Sequence, residues 1–232
     1  MPFLDDTGPR DERRGPIWAA FATVSSQVER LVAANLGWAL QLVPGLLALA
    51  FPQLPGWLRI VFALYSATAL PPATAVLFGI AAEACRGQHV DLGLAGELLR
   101  EYAVRSARTL APLYGTFGIL IWVAVLADAR DLAPVVVVLT LVTLLWSVCA
   151  TYWGPLFVAK PDLSMVALAR ESVRLTRHRP EGTLATWAMV GVSWIVGAVS
   201  IGGLVLIVPM FVATLQTHRY REAAGVAPRR AG

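Results

Sequence analysis

The side chains able to do chemistry in this 232-residue chain stand apart from its long apolar runs. His89, His178 and His218 fall in polar segments, and no two of them have the spacing of metal ligands. Cys85 closes one apolar run and Cys149 lies inside another. Two such cysteines read as small packing residues, not as a disulfide or a metal site. No phosphate-binding loop, HExxH, nucleophile elbow or GxGxxG stands in the context its chemistry needs. Glu83 and Lys160 mark the ends of apolar runs, and Asp128, Arg130 and Asp131 share a turn. An ionisable group in mid-membrane is costly, and proton relays and voltage sensors depend on one. None lies at the centre of a run, so the expectation is a protein that is not an enzyme and carries no metal or cofactor.

Two weaker sets of residues remain. Gln41 precedes Pro44 by three positions inside an apolar run, and Thr74 follows the Pro71-Pro72 pair inside another. A proline removes one helical hydrogen bond and frees a carbonyl. Gln41, Pro44, Pro71, Pro72 and Thr74 are therefore candidates for helix breaks or for the lining of a solute site. The simpler reading of the mild polar residues in the runs, Ser66, Thr68, Thr140, Thr143, Ser147, Thr151, Tyr152, Ser193 and Ser200 among them, is interhelical hydrogen bonding at about 0.6 kcal/mol each. The second set is Arg100, Arg105, Arg108, Arg170, Arg174 and Arg177. These sit on two amphipathic stretches and are candidates for contacts with anionic lipid headgroups or a transporter subunit. Of the tryptophans, Trp57, Trp153 and Trp187 read as interface anchors, and Trp38, Trp122, Trp146 and Trp194 as packing residues.

These residues must be positioned by helices in a bilayer. The chain is 57% hydrophobic and 15% charged, with a mean hydropathy of +0.64. Soluble domains carry about 25% charged residues, and a span needs about 20 apolar ones. The net charge of +4 arises from arginines flanking apolar runs, a matter of topology and not of nucleic-acid binding. The expected fold is an all-α polytopic bundle with five to six transmembrane helices and two cytoplasmic amphipathic helices. Residues 1–16 read as a flexible polar tail, 17–222 as one transmembrane domain and 223–232 as a second tail. The polar start has no apolar h-region of the kind a signal peptide carries. Pro16 to Phe21 reads as a short interfacial helix.

The expected spans are Leu31–Phe51, Leu58–Ala82, Thr109–Leu126 and Leu132–Val158. The last run, Thr183–Gln216, is too long for one span and divides near Ser200-Ile201-Gly202-Gly203. The amphipathic stretches are Leu92–Arg108, with Leu94, Ala95, Leu98, Leu99 and Tyr102 on one face, and Leu163–Thr176, with Met165, Val166, Ala169 and Val173. Asp91 and Asp162 are their expected N-caps. With six crossings and both termini in the cytoplasm, seventeen of the nineteen basic residues fall inside. Span, amphipathic stretch and span recur in the same order, which predicts a parallel repeat.

The Asn35-Leu36-Gly37-Trp38 span, the run Leu70-Pro71-Pro72-Ala73-Thr74-Ala75-Val76-Leu77-Phe78 and the charged turn after it resemble the YesL family, a domain of unknown function in bacterial membrane proteins. The resemblance covers about residues 25–222. It implies a multi-span inner-membrane protein, often encoded near carbohydrate-uptake systems, and it brings no catalytic residues. The resulting expectation is an accessory or regulatory factor for solute uptake. The alternative is a small transporter with its site near the proline-broken helices. No nucleic-acid partner is expected, and the sequence leaves the oligomeric state open.

Overall fold

The computed structural model describes residues 15–88, 90–200, 203 and 206–225. Most of both expected tails lies outside these residues, as do His89 and part of the expected break at Ser200–Gly203. Pro16 and Ala223 are helical.

The protein is an all-α membrane bundle. Among the described residues it comprises α1 (Pro16–Ser26), α2 (Val28–Ala50), α3 (Gly56–Ala84), α4 (Leu92–Asp128), α5 (Ala133–Ala150), α6 (Trp153–Ala159), α7 (Met165–His178), α8 (Pro180–Val199) and α9 (Val208–Ala223). Five stretches are long and apolar enough to cross a membrane: α2, α3, α4, α5 continued by α6, and α8. Their outer surfaces carry Leu49, Ile60, Leu64, Ile119, Val137, Leu145 and Val199, all exposed. In water such a surface is unfavourable, and in lipid it needs no partner.

Four boundaries differ from the sequence expectation. First, the amphipathic stretch after Asp91 and the third span form one 37-residue helix. At 1.5 Å per residue it is about 55 Å long, well beyond a hydrocarbon core of about 30 Å. No glycine or proline between Arg100 and Thr109 stops it. Second, the fourth span breaks at Thr151-Tyr152. Pro155 has no N–H to give the Thr151 carbonyl, so the helix restarts as α6, with Pro155 in its tolerant first turn. Third, Ser164 and not Asp162 caps α7, its hydroxyl accepting from Ala167 N–H at 3.4 Å. Asp91 caps α4 as expected, accepting from Leu94 N–H at 2.7 Å. Fourth, helix continues through Pro44, Pro71 and Pro72.

Beside Pro44 a hydroxyl enters the α2 hydrogen-bond ladder. Gly45 N–H donates to Ser66 Oγ at 2.8 Å, and Ser66 Oγ donates to the Gln41 carbonyl at 2.8 Å. The hydroxyl stands in the gap of the i→i−4 ladder and pins α3 against α2. Gly45 favours this close approach, because a Cβ would come 3.0 Å from Ser66 Oγ.

The core lies where α6 enters the bundle. Tyr152, Trp153, Leu156 and Phe157 are fully buried. The Trp153 ring lies 5.1 Å from Trp146 and 5.4 Å from Tyr114, both edge-on. Phe157 meets Tyr102 edge-on at 5.5 Å, and the Arg105 guanidinium covers its ring at 3.8 Å. A Cβ at Gly154 would overlap the Phe78 ring, so α6 approaches α3 at a distance only glycine allows. Trp153 is thus a core residue and not an interface anchor. Trp122, expected to pack, is 63% exposed instead.

The last helix, α9, is the most enclosed, with twelve of its sixteen residues buried. It packs against α1, α2, α3, α6 and α8, and it is not among the five lipid-type spans. It returns the chain to the end of the bundle where α3 stops, since Arg221 donates to the Cys85 carbonyl. Gln27 reaches Gln88, and Arg179 pairs with Glu222 at 3.8 Å, at this same basic end.

Candidate ligand cavity in the middle of the bundle

Five apolar helices and one enclosed helix leave a space between them. A partly open cavity of about 600 Å³ lies between α2, α3, α4, α5, α8 and α9. Each helix except α2, which gives Trp38 alone, contributes residues at helical spacing. From α8 come Trp187, Val190 and Trp194, from α9 Pro209, Val212 and Gln216, and from α3 Ala67, Pro71, Thr74 and Phe78. Positions three, four and seven apart share one face of a helix, so each set is a single stripe turned inward.

The walls are aromatic and aliphatic, and their polar atoms are mostly engaged. Trp38 Nε1–H donates to Thr74 Oγ1 at 3.0 Å, and Trp187 Nε1–H to Ser147 Oγ at 2.8 Å. Ser147 in turn donates to the Leu144 carbonyl. These bonds fix the two indole edges, and Trp38 meets Trp194 at a centroid distance of 6.1 Å. The Gln216 side chain is different. Gln216 is 92% buried, since only 8% of its surface is exposed, and its amide bonds to none of the described residues. No Asp, Glu, Lys, Arg, His or Cys is among the described lining residues.

Of the candidates read from the sequence, Pro71 and Thr74 line this cavity. Because Pro71 has no N–H, the Ala67 carbonyl loses its i+4 donor, and Ala67 lines the cavity as well. Gln41, Pro44 and Pro72 are not lining residues. Gln41 is half-buried, donates to the Gly37 carbonyl at 3.2 Å and accepts from Tyr65 O–H at 2.6 Å. It serves the α2–α3 contact. Trp187 turns to the interior and is no interface anchor.

The arginine candidates separate too. Arg100, Arg108, Arg170, Arg174 and Arg177 are exposed, with Arg174 paired to Glu171 at 2.9 Å. Arg105 is half-buried over Phe157, and its Nε is buried without a partner. On α7 the inward face is Leu168, Ser172 and Leu175, while Val166 is 58% exposed. The hydrogen bond from Lys160, at 2.9 Å, holds the Glu171 carboxyl below the ordinary carboxylate range. Burial pushes the Cys85 thiol up to about 12, which keeps it protonated and unreactive.

Sequence reasoning passed over Gln216, Trp187 and Tyr114 as lining residues. A usable signal was present: the i, i+3, i+7 spacing of Trp187, Val190 and Trp194, and a glutamine in a run otherwise read as a lipid-facing span. Among the described residues there is no group of three or more His, Cys, Asp or Glu placed to hold a metal ion. No protein-family model, curated protein or solved structure matches the chain.

Proposed function

We propose that this helical membrane protein holds a small, uncharged and largely apolar molecule in the mid-bundle cavity, as a binding or transport protein and not as an enzyme. The observation that carries the reading is the cavity itself: about 600 Å³, partly open, with Trp38, Trp187 and Trp194 in its wall. This is the size range of small-molecule sites, roughly 300–1,000 Å³, and the mixture of apolar wall and few polar groups is typical of them. The described lining offers no charge to stabilise an ion and no acid or base for catalysis. It also has too few free hydrogen-bonding groups for a carbohydrate, so the transporter alternative is favoured over a role in sugar uptake, and with an apolar cargo. The Pro71 site supports it, because α3 continues through Pro71 while the Ala67 carbonyl beside the cavity is left without its i+4 donor.

A second feature belongs to the same reading. Exposed Arg100, Arg108, Arg170 and Arg177 crowd one end of the bundle. With that end in the cytoplasm of a bacterial inner membrane, as the YesL resemblance and the arginine distribution imply, each contributes about 1 kcal/mol of attraction to anionic headgroups or to an acidic surface on a transporter subunit.

Bromonaphthalene, whose heavy atom quenches indole fluorescence, tests the reading in vesicles holding the purified protein. The expected quenching has a saturable component above the linear background of probe dissolved in lipid. Gly115→Phe removes that component. Gly115 lines the cavity and nothing lies within 4 Å of its Cβ position, so a ring fits at the cavity wall without displacing a neighbour. Linear quenching alone, the same in both proteins, overturns the proposal.

A further inference from the structure

Gln216 is the feature that the apolar-cavity reading leaves unused. A primary amide buried in a membrane protein without partners is costly, and such groups are ordinarily satisfied. Asn35, the other buried side-chain amide, donates to the Leu206 carbonyl at 2.7 Å, while its Oδ1 accepts from none of the described residues. Gln216 makes no such bond among the described residues; it sits on the lining stripe of α9, and its amide is not sealed off but opens on the cavity. The Tyr114 and Thr151 hydroxyls line the same cavity, and neither makes a side-chain hydrogen bond to a described residue. The polar atoms nearest in sequence to Gln216 are spent elsewhere. Thr214 and Thr217 donate back to Met210 and Ala213 carbonyls at 2.7 Å each, and His218 meets Thr23 at 3.2 Å.

We infer that Gln216 is the specificity-determining residue of the cavity, and that it selects an uncharged ligand with an apolar, ring-sized body and one carboxamide-type edge. This rests on the proposed binding function. A primary amide presents one acceptor oxygen and one N–H donor side by side. Its best complement is another neutral edge carrying a donor beside an acceptor, which closes two hydrogen bonds at once. An ammonium or a carboxylate satisfies only half of it and brings an unpaired charge into a wall without a counter-ion. A bare hydrocarbon leaves the amide as it is. The aromatic wall takes the ring body, where stacking on tryptophan adds to area burial.

Three probes of one ring size separate these cases in the vesicle assay: bromonaphthalene, bromonaphthamide and bromonaphthoate. Each affinity is referred to the probe's own partition into protein-free vesicles. The expected ranking is naphthamide about tenfold tighter than naphthalene, equivalent to about 1.4 kcal/mol, with no saturable naphthoate binding. Gln216→Leu removes the tenfold preference of amide over hydrocarbon, and Tyr114→Phe reduces it less. Equal affinities for the amide and the hydrocarbon, saturable naphthoate binding, or an amide preference that survives Gln216→Leu overturn the inference while leaving the cavity reading intact. The wild-type ranking needs no variant, so a misfolded Gln216→Leu protein does not rescue the inference. Absence of saturable binding by every probe overturns the cavity reading, and this inference with it.

Discussion

α9 is packed along most of its length and open along one stripe. On the packed side Met210, Ala213 and Leu215 are fully buried. Arg219 is only 7% exposed, pairs with Glu222 and lies so tightly on α8 that a Cβ at Gly182 would overlap its guanidinium. Arg221 holds the Cys85 carbonyl, and Tyr220 packs into the core. On the open stripe Pro209, Val212 and Gln216 line the cavity. A bundle in lipid has no hydrophobic drive to close such a gap, because lipid and protein interior are equally apolar. The contrast shows how the cavity persists. The basic end is pinned by ion pairs and backbone-close contacts, and the middle of the bundle stays apart between those anchors.

Substitutions at glycines sharpen this contrast most. Gly154→Ala drives a methyl into the Phe78 ring at the packed junction of α3 and α6. Thermal unfolding in detergent should show a loss of about 3 kcal/mol, the upper end of overpacking. An unchanged melting temperature would mean that the junction is loose and the comparison misplaced.

Protonation of His218 probes the packed side of α9. Burial, then the Arg221 charge, lowers its pKa to about 4. Its ring faces the Thr23 hydroxyl on α1. A depressed folded pKa means that the stabilisation is complete above the unfolded value of about 6.5 and is lost as pH falls toward 4. Melting curves across that window should drop by up to about 3 kcal/mol in the wild type, and His218→Gln should flatten the profile. Parallel profiles would remove His218 from the packed set.

Ser66→Ala opens the relay between Gly45 and Gln41. Two backbone groups then lose their partner at a cost of about 1–3 kcal/mol, visible as a lower melting temperature. The smallest effect is expected on the open side. Gly115→Ala adds a methyl where nothing lies within 4 Å, and it should stabilise α4 by up to about 1 kcal/mol. Destabilisation there would show that the cavity closes in the membrane.

The helical class and five spans were legible because long apolar runs have one cheap solution in a bilayer. Asp91 was readable as a cap for the same local reason. What escaped depends on which neighbour a side chain meets. Nothing in Arg100–Thr109 announces that the amphipathic stretch and the third span are one helix, because the change of chemistry there is not a change of backbone. An apolar run also does not say whether it faces lipid or protein, so the stretch holding α9 reads as a short span or as half of a re-entrant pair, with Gln216 its last residue. Trp153 and Trp187 sit near run ends, where tryptophan commonly anchors to the interface, yet the turn at Thr151 and the stripe on α8 carry both inward. Pro71 and Thr74 were named for a proline break, and both line the cavity. Gln41 was named by the same logic, and its partners are Gly37 and Tyr65.

The most direct test of the account is a structure of the protein with bromonaphthamide, in which anomalous scattering locates the bromine. The account predicts one principal bromine peak inside the bundle, among Trp38, Trp187 and Trp194, with the amide of the probe against Gln216. Bromine found only on the outer, lipid-facing surfaces, with the cavity unchanged, would contradict it.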